Sequence, residues 1–286
     1  MQKLTTQPSL FRSVRFWLFA MTMIVIVSYF VTLNYVDNQL AKRSNSSIIN
    51  DCHKVWSTRG LVTDATNRLN DANSIESIQL ALAMGAKGVE VDVYFDVAMD
   101  RYIVSHDRPY NLKNGQLLTL EMLFQAINYQ GLIWLDFKKM TRLEKLGVEQ
   151  AVARLQLITA GTDMAQRIYV ESEHPINLAY FHRAGFQSLF DTQPLPESFI
   201  GTELIHNLYK MIFFYGGYSV MGIDYGEIDD PVYNAISERV LQHVPMFVYH
   251  VPDNQPLIQR LAQQDNVRVI LNANEMAAGF DVSACK

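Results

Sequence analysis

The pattern of apolar and polar positions divides the chain into two unlike parts. Residues 16–33, FWLFAMTMIVIVSYFVTL, carry no charged side chain. As a helix they span about 27 Å, close to the hydrocarbon thickness of a bilayer. Beyond residue 50 the apolar runs shorten, and they alternate with stretches whose apolar residues recur at helical spacing. Strands are expected within 52–60 and 85–107 and over 132–137, 167–171, 186–191, 220–225, 246–251 and 267–272. Helices are expected over 73–84, where Asn73 can act as cap, and over 118–128, 142–159, 176–184, 197–209, 231–242 and 255–264. About eight strands alternating with helices over roughly 235 residues suit a TIM-type (β/α)8 barrel, whose usual size is about 250. A doubly wound open sheet is the alternative. The chain has no glycine-rich dinucleotide or phosphate-loop fingerprint to favour it, and no repeat at a solenoid period.

The domain plan follows: 1–13 a short tail, 14–36 a transmembrane anchor, 37–50 a polar linker and 51–286 the barrel. A cleaved signal peptide would have a shorter apolar core and small residues at its cleavage site, where this chain has NYVDNQLAK. Lys3, Arg12 and Arg15 precede the span, while Asp37, Lys42 and Arg43 follow it. The positive-inside bias therefore favours a cytoplasmic N-terminus and a barrel in the periplasm or another extracytoplasmic space. Composition adds little to this. The chain is 49% hydrophobic and 19% charged with a formal net charge of −5, and without a block of lysine and arginine no nucleic-acid partner is indicated. The two cysteines, Cys52 and Cys285, bracket the folded part and are open to two readings, a bridge joining its ends or two free thiols.

Candidate chemistry gathers between 85 and 107. Glu90 and Asp92 lie two apart on a strand and share a face, with Val89, Val91 and Val93 on the other. Paired carboxylates on a valine-rich strand are costly unless a cation sits between them, and a hard divalent ion is the simplest candidate. In a barrel, active sites lie at the C-terminal strand ends. The polar residues expected there are Thr58, Arg59, Glu90, Asp92, His106, Asp136, Lys138, Glu171, Asp191, Asp224, His250 and Asn272. Among them Glu171 and His250 are candidates to meet a substrate at the mouth.

RG at 59–60, NS at 73–74, GAKGVEVDVYF at 85–95, IVSHD at 103–107 and LDFK at 135–138 occur in that order. This order resembles the glycerophosphodiester phosphodiesterases of the phosphatidylinositol-phospholipase-C-like barrel superfamily, whose pattern runs HRG, PENT, GAD-x-x-E-x-DV, V-x-HD and E-x-K. The resemblance covers 59–138; beyond it only the strand rhythm continues. It implies metal-assisted hydrolysis of a glycerol or lipid-headgroup phosphodiester with one divalent cation, magnesium or calcium. Glu90, Asp92 and Asp136 would be metal carboxylates, His106 a proton-transfer group, and Arg59 and Lys138 the phosphate-facing cations. Two positions depart from the pattern. Thr58 stands where the family has the His of HRG, and Ala72 where it has the Glu of PEN, so an acid/base group and a metal ligand are missing. Glu76, four residues after Ala72 on the helix, and Asp71 are the candidate replacements for the lost carboxylate. The competing expectation is a catalytically inactive barrel that binds a phosphate ligand or a membrane or protein partner.

Overall fold

The computed structural model describes residues 10–43, 53–63, 72–113, 115–193, 195, 198–272 and 279–280. Cys52, Cys285 and Asp71 lie outside the described residues. The chain forms two compact units, Met1–Arg43 and Ser44–Lys286. The first holds α1 (Leu10–Lys42). Over Val14–Lys42 this helix is long and apolar enough to cross a membrane, a property shared with signal sequences. The Thr22 hydroxyl donates to the Leu18 carbonyl at 2.9 Å, so this polar group within the apolar stretch is satisfied inside the helix.

The second unit runs β1 (Val55–Thr58), α2 (Ile75–Ala83), β2 (Gly88–Asp96), β3 (Arg101–Val104), a small hairpin of β4 (Leu112–Lys113) and β5 (Gln116–Leu117), α3 (Leu120–Ala126) and β6 (Leu132–Phe137). It continues with α4 (Lys145–Thr159), α5 (Met164–Arg167), β7 (Ile168–Ser172), α6 (Pro175–Arg183), β8 (Gln187–Thr192), α7 (Thr202–Gly216), β9 (Val220–Asp224), α8 (Ala235–Val240), β10 (Met246–Val251), α9 (Gln255–Ala262) and β11 (Val267–Asn272). The strands pair in the order β1-β11-β10-β9-β8-β7-β6-β2, and β1 also pairs with β2. All eight of these pairings are parallel, so the expected TIM-type barrel closes. β3 lies antiparallel on β2 outside the ring.

Strand alternation positions the site. The barrel interior is filled by Trp56, Trp134, Tyr169, Leu189, Val220, Phe247, Val269 and Leu271. The Phe247 ring lies 5.4, 5.2 and 5.0 Å from those of Trp56, Trp134 and Tyr169. Two residues further along the same faces, apolar side chains give way to polar ones: Trp134 to Asp136, Tyr169 to Glu171, Leu189 to Asp191, Phe247 to Tyr249. An aromatic plug thus floors a polar mouth. Gly88 begins the corresponding series on β2, and a Cβ there would come within 2.5 Å of the Trp56 ring.

Several helix boundaries differ from expectation. Ser74, not Asn73, caps α2, in a reciprocal capping box with Ser77, because the Asn73 side chain is engaged elsewhere. Helix α7 begins later than expected and runs two turns further, to a Gly217 whose left-handed conformation (φ 70°) ends it. Met140–Arg142 forms a 3-10 turn before α4.

Candidate active site

The strand ends assemble one charged cluster. Just past β1, Arg59 adopts a left-handed conformation (φ 56°) and its amide donates to the Glu90 carbonyl at 3.1 Å. Gly60 follows at φ 85°, where a Cβ would meet Ser77 Oγ at 2.4 Å, so only glycine lets this loop lie on α2. The turn carries Arg59 Nε to 2.8 Å from Asp92 Oδ2 and 4.0 Å from Glu90 Oε2. Parallel pairing of β2 with β6 sets Asp92 level with Asp136. Lys138, on the same face, places Nζ 2.7 Å from Asp92 Oδ1 and in contact with Asp136 Oδ2. Asn73, also left-handed (φ 57°), donates from Nδ2 to Asp92 Oδ2 at 2.6 Å and accepts from the Asp92 amide at 3.1 Å. Glu90 and Asp92 are therefore no solvated strand face: they are 5% and 0% exposed.

The electrostatics follow from burial and pairing. Burial and the neighbouring Asp92 charge push the Glu90 carboxyl well above the usual range. Asp92 is lowered: burial opposes ionisation, but Lys138 and Arg59 outweigh it. Asp136 is raised to about 6, mainly by burial, with Lys138 acting against the rise. Lys138 is held protonated by Asp136, Asp92 and Glu90 despite its burial.

Carboxylate oxygens of Glu90, Asp92 and Asp136 lie within 4.8 Å of one another. A hard cation with ligands at about 2.3–2.6 Å accommodates oxygens at most about 5 Å apart, so the triad fits one such ion. Glu90 Oε2 strengthens the fit, being a buried acceptor that receives no hydrogen bond from the described residues. Three carboxylates against Arg59 and Lys138 leave a formal −3 + 2 = −1 when all are ionised, which a divalent ion would more than offset.

The departures are visible as contacts. Thr58 lines the mouth, but its hydroxyl donates to the Asn272 carbonyl at 2.7 Å. Ala72 is buried and offers only its carbonyl, which accepts from Lys113 Nζ. Glu76 is exposed on α2 and is absent from the triad, so it does not replace the missing carboxylate. Its place in the helix sends it to solvent because Ser77 and Ile78 take the inward face.

A cavity of about 560 Å³ opens over the cluster. Thr58, Arg59, Glu90, His106, Asp136, Lys138, Glu171, Asp191 and His250 line it, nine of the twelve strand-end residues expected from sequence; Asp224 and Asn272 do not, and Asp92 is fully buried against Lys138 and Arg59. His106, after β3, has Nδ1 3.0 Å from Asp107 Oδ1. On the far wall Glu171 accepts from the Trp134 indole N–H, and the Tyr249 hydroxyl donates to Asp191 Oδ1 at 3.1 Å. Burial raises Glu171 well above its usual range and takes Asp191 to about 8. His206, which carries no partner readable from sequence, is buried against Ser237 Oγ at 3.4 Å. Sequence reasoning missed the roles of Asn73, Trp134 and Tyr249. For Trp134 and Tyr249 the signal was present, since each lies two residues from an inward-facing position.

No family model matches the chain, and no curated protein is significantly similar to it. Solved structures do share its fold. A glycerophosphodiester phosphodiesterase from Thermotoga maritima superposes with a TM-score of 0.55 at 17% identity, covering 78% of this chain and 95% of that one. One from Parabacteroides distasonis gives 0.56 at 18% identity, covering 78% and 93%. A phosphodiesterase from Oleispira antarctica, in complex with its product sn-glycerol-3-phosphate, gives 0.53 at 12% identity, covering 79% and 94%. At these identities the likeness is one of fold, and it agrees with the motif resemblance over 59–138.

Proposed function

We propose that this chain is a membrane-anchored phosphodiesterase-like protein whose barrel binds a glycerol or lipid-headgroup phosphodiester and hydrolyses it weakly with the help of one divalent cation. The observation that carries the reading is the triad of buried Glu90 and Asp92 with half-buried Asp136, with an acceptor at Glu90 Oε2 that receives no hydrogen bond from the described residues, at a cavity that also holds Arg59, Lys138 and His106. The ion, held by the three carboxylates, would neutralise the phosphodiester and polarise its oxygens. Arg59 can fork toward two phosphate oxygens, and Lys138 adds a second cation. His106, with Nδ1 beside Asp107, keeps Nε2 for proton transfer at the ester. In this reading the anchor is α1, with its N-terminus cytoplasmic and the barrel extracytoplasmic.

A second reading, an inactive barrel that retains only ligand binding, is favoured by Thr58 and Ala72, and by the fact that Arg59 and Lys138 already pair with the triad. Loss of one acid/base group removes about two to four orders of magnitude in rate. The deciding assay is release of glycerol 3-phosphate from a glycerophosphodiester by the full-length protein in nonionic detergent with magnesium or calcium. Slow turnover that a chelator and His106→Ala abolish, and that Thr58→His with Ala72→Glu raises, is expected. Turnover absent in every ion and not restored by the double substitution leaves the binding reading in its place.

A further inference from the structure

His250 is out of place for its strand. On β10, Phe247 and Tyr249 face the barrel interior, Tyr249 through its bond to Asp191. Strict alternation would turn the next residue outward against the helices. Instead His250 adopts a left-handed conformation (φ 51°), rare for a residue other than glycine. The β10–β11 register also shifts between Val248 and Val251. Irregularities of this kind at a barrel rim re-aim side chains. The result here is a histidine that lines the same cavity as His106, Thr58 and Glu90.

The ring is also oriented. Its Nδ1 lies 3.2 Å from Asp224 Oδ2, and the other Asp224 oxygen accepts from the Gly226 amide at 3.0 Å, which fixes the carboxylate. An ionised carboxylate can only accept, so Nδ1 carries the proton in that bond and the exchangeable position is Nε2. The Tyr249 ring packs edge-on against the imidazole with centroids 4.9 Å apart. The His250 side chain remains 61% exposed, open to a ligand. A base oriented by a third group and facing a site is the arrangement expected of a proton-transfer residue. Thr58 cannot supply that function, because its hydroxyl is committed to Asn272 and does not ionise near neutrality.

We infer that His250, positioned by Asp224, is the general acid of this site, delivering a proton to the departing alcohol oxygen from β10, two strands round the barrel from Thr58. The inference rests on the diesterase reading above. Water oxygen forms the new bond to phosphorus as the bond from phosphorus to the leaving oxygen breaks. His106 takes one proton of the water, and Nε2–H of protonated His250 gives its proton to the leaving oxygen. The products are an alcohol and a phosphomonoester; His106 returns its proton to solvent and His250 regains one.

The test compares two diesters of glycerol 3-phosphate, the methyl ester and the p-nitrophenyl ester, on the full-length protein with magnesium or calcium. Methoxide needs a proton to leave, whereas nitrophenolate leaves without one. Asparagine and glycine both tolerate the left-handed backbone at 250, so His250→Asn and His250→Gly keep the turn. Turnover of the methyl ester should fall about 100-fold or more in His250→Asn, at least tenfold further than turnover of the nitrophenyl ester. Added imidazole should restore part of the methyl-ester turnover in His250→Gly, and Asp224→Asn should show the same ester bias in weaker form. Equal losses on both esters, or no loss, with wild type active, overturn the assignment while leaving the diesterase reading intact. A wild-type protein that cleaves neither ester overturns both.

Discussion

Asp191 shows how far burial, helped by the neighbouring Asp136 and Glu173 charges, can shift a single side chain at this mouth. Its oxygen accepts from the Tyr249 hydroxyl, but burial dominates and takes the carboxyl to about 8. The folded value lies above the unfolded one, near 3.9. The contribution is therefore fully present below about pH 4 and is lost as pH rises through about 8. Asp191→Asn keeps an acceptor for Tyr249 and removes the titration. Urea midpoints should be similar near pH 4.5 and diverge upward in pH, with the variant more stable by about 1–2 kcal/mol at pH 9 after discounting for solvent at a partly exposed group. A variant that loses stability at pH 9 would show that the charge on Asp191 is well tolerated. Single residues were also the scale at which the sequence misled. Asn73 looks like an ordinary helix cap, since nothing local tells that its side chain will be taken by Asp92, 19 residues away. Glu76 sits at a plausible distance from Ala72, yet only the folded helix reveals that its face is solvent.

At the scale of elements, β2 carries the acidic pair and is seated by what it lacks. Gly88 lies at the level of the aromatic plug, and a Cβ there would stand 2.5 Å from Trp56 Cδ2 and Cε3. Trp56 is 1% exposed and held against Tyr169 and Phe247, so it has little room to give. Gly88→Ala should cost about 1–3 kcal/mol by overpacking, read as a lower thermal midpoint. It should also weaken binding of a divalent ion, because any shift of β2 moves Glu90 and Asp92 with it. Unchanged stability would mean that the barrel floor is looser than these contacts imply. The strands were legible beforehand because alternation is local: 132–137, 246–251 and 267–272 match β6, β10 and β11 as observed. The end of α7 was less so, since KMIFFYGG reads equally as a buried run, and the glycine that stops the helix is marked only by its conformation. His250 is a different case: its place at a strand end pointed to the mouth, where it lies, although alternation alone would turn it outward and a left-handed residue in the strand is what reconciles the two.

For the whole molecule, closure is what turns scattered strand ends into one site. The pairing of β1 with both β11 and β2 brings residue 58 beside residue 272 and Arg59 above Asp92, contacts separated by up to 214 positions in sequence. The motif pieces at 59–138 were readable as a resemblance, whereas Glu171 and Asp191 on the far wall followed only from barrel logic, and Tyr249 beside them was not anticipated. The same closure implies that ligand binding at the triad stabilises the entire ring. An ion bound only by the folded state adds RT ln(1 + [L]/Kd), about 2.7 kcal/mol when its concentration is a hundred times Kd. For a unit of this size that amounts to roughly 5–10 °C in thermal midpoint. Scanning the full-length protein with and without 10 mM calcium or magnesium should reveal a rise of that order if Kd is near 0.1 mM, with a matching calorimetric titration. Glu90→Gln removes the charge at the bare acceptor while keeping its volume, and it should abolish the shift without lowering the ion-free midpoint, since burial already disfavours the Glu90 charge. No shift and no heat at millimolar ion would show that Arg59 and Lys138 alone balance the carboxylates, and that the site holds its phosphate ligand, if any, without a metal.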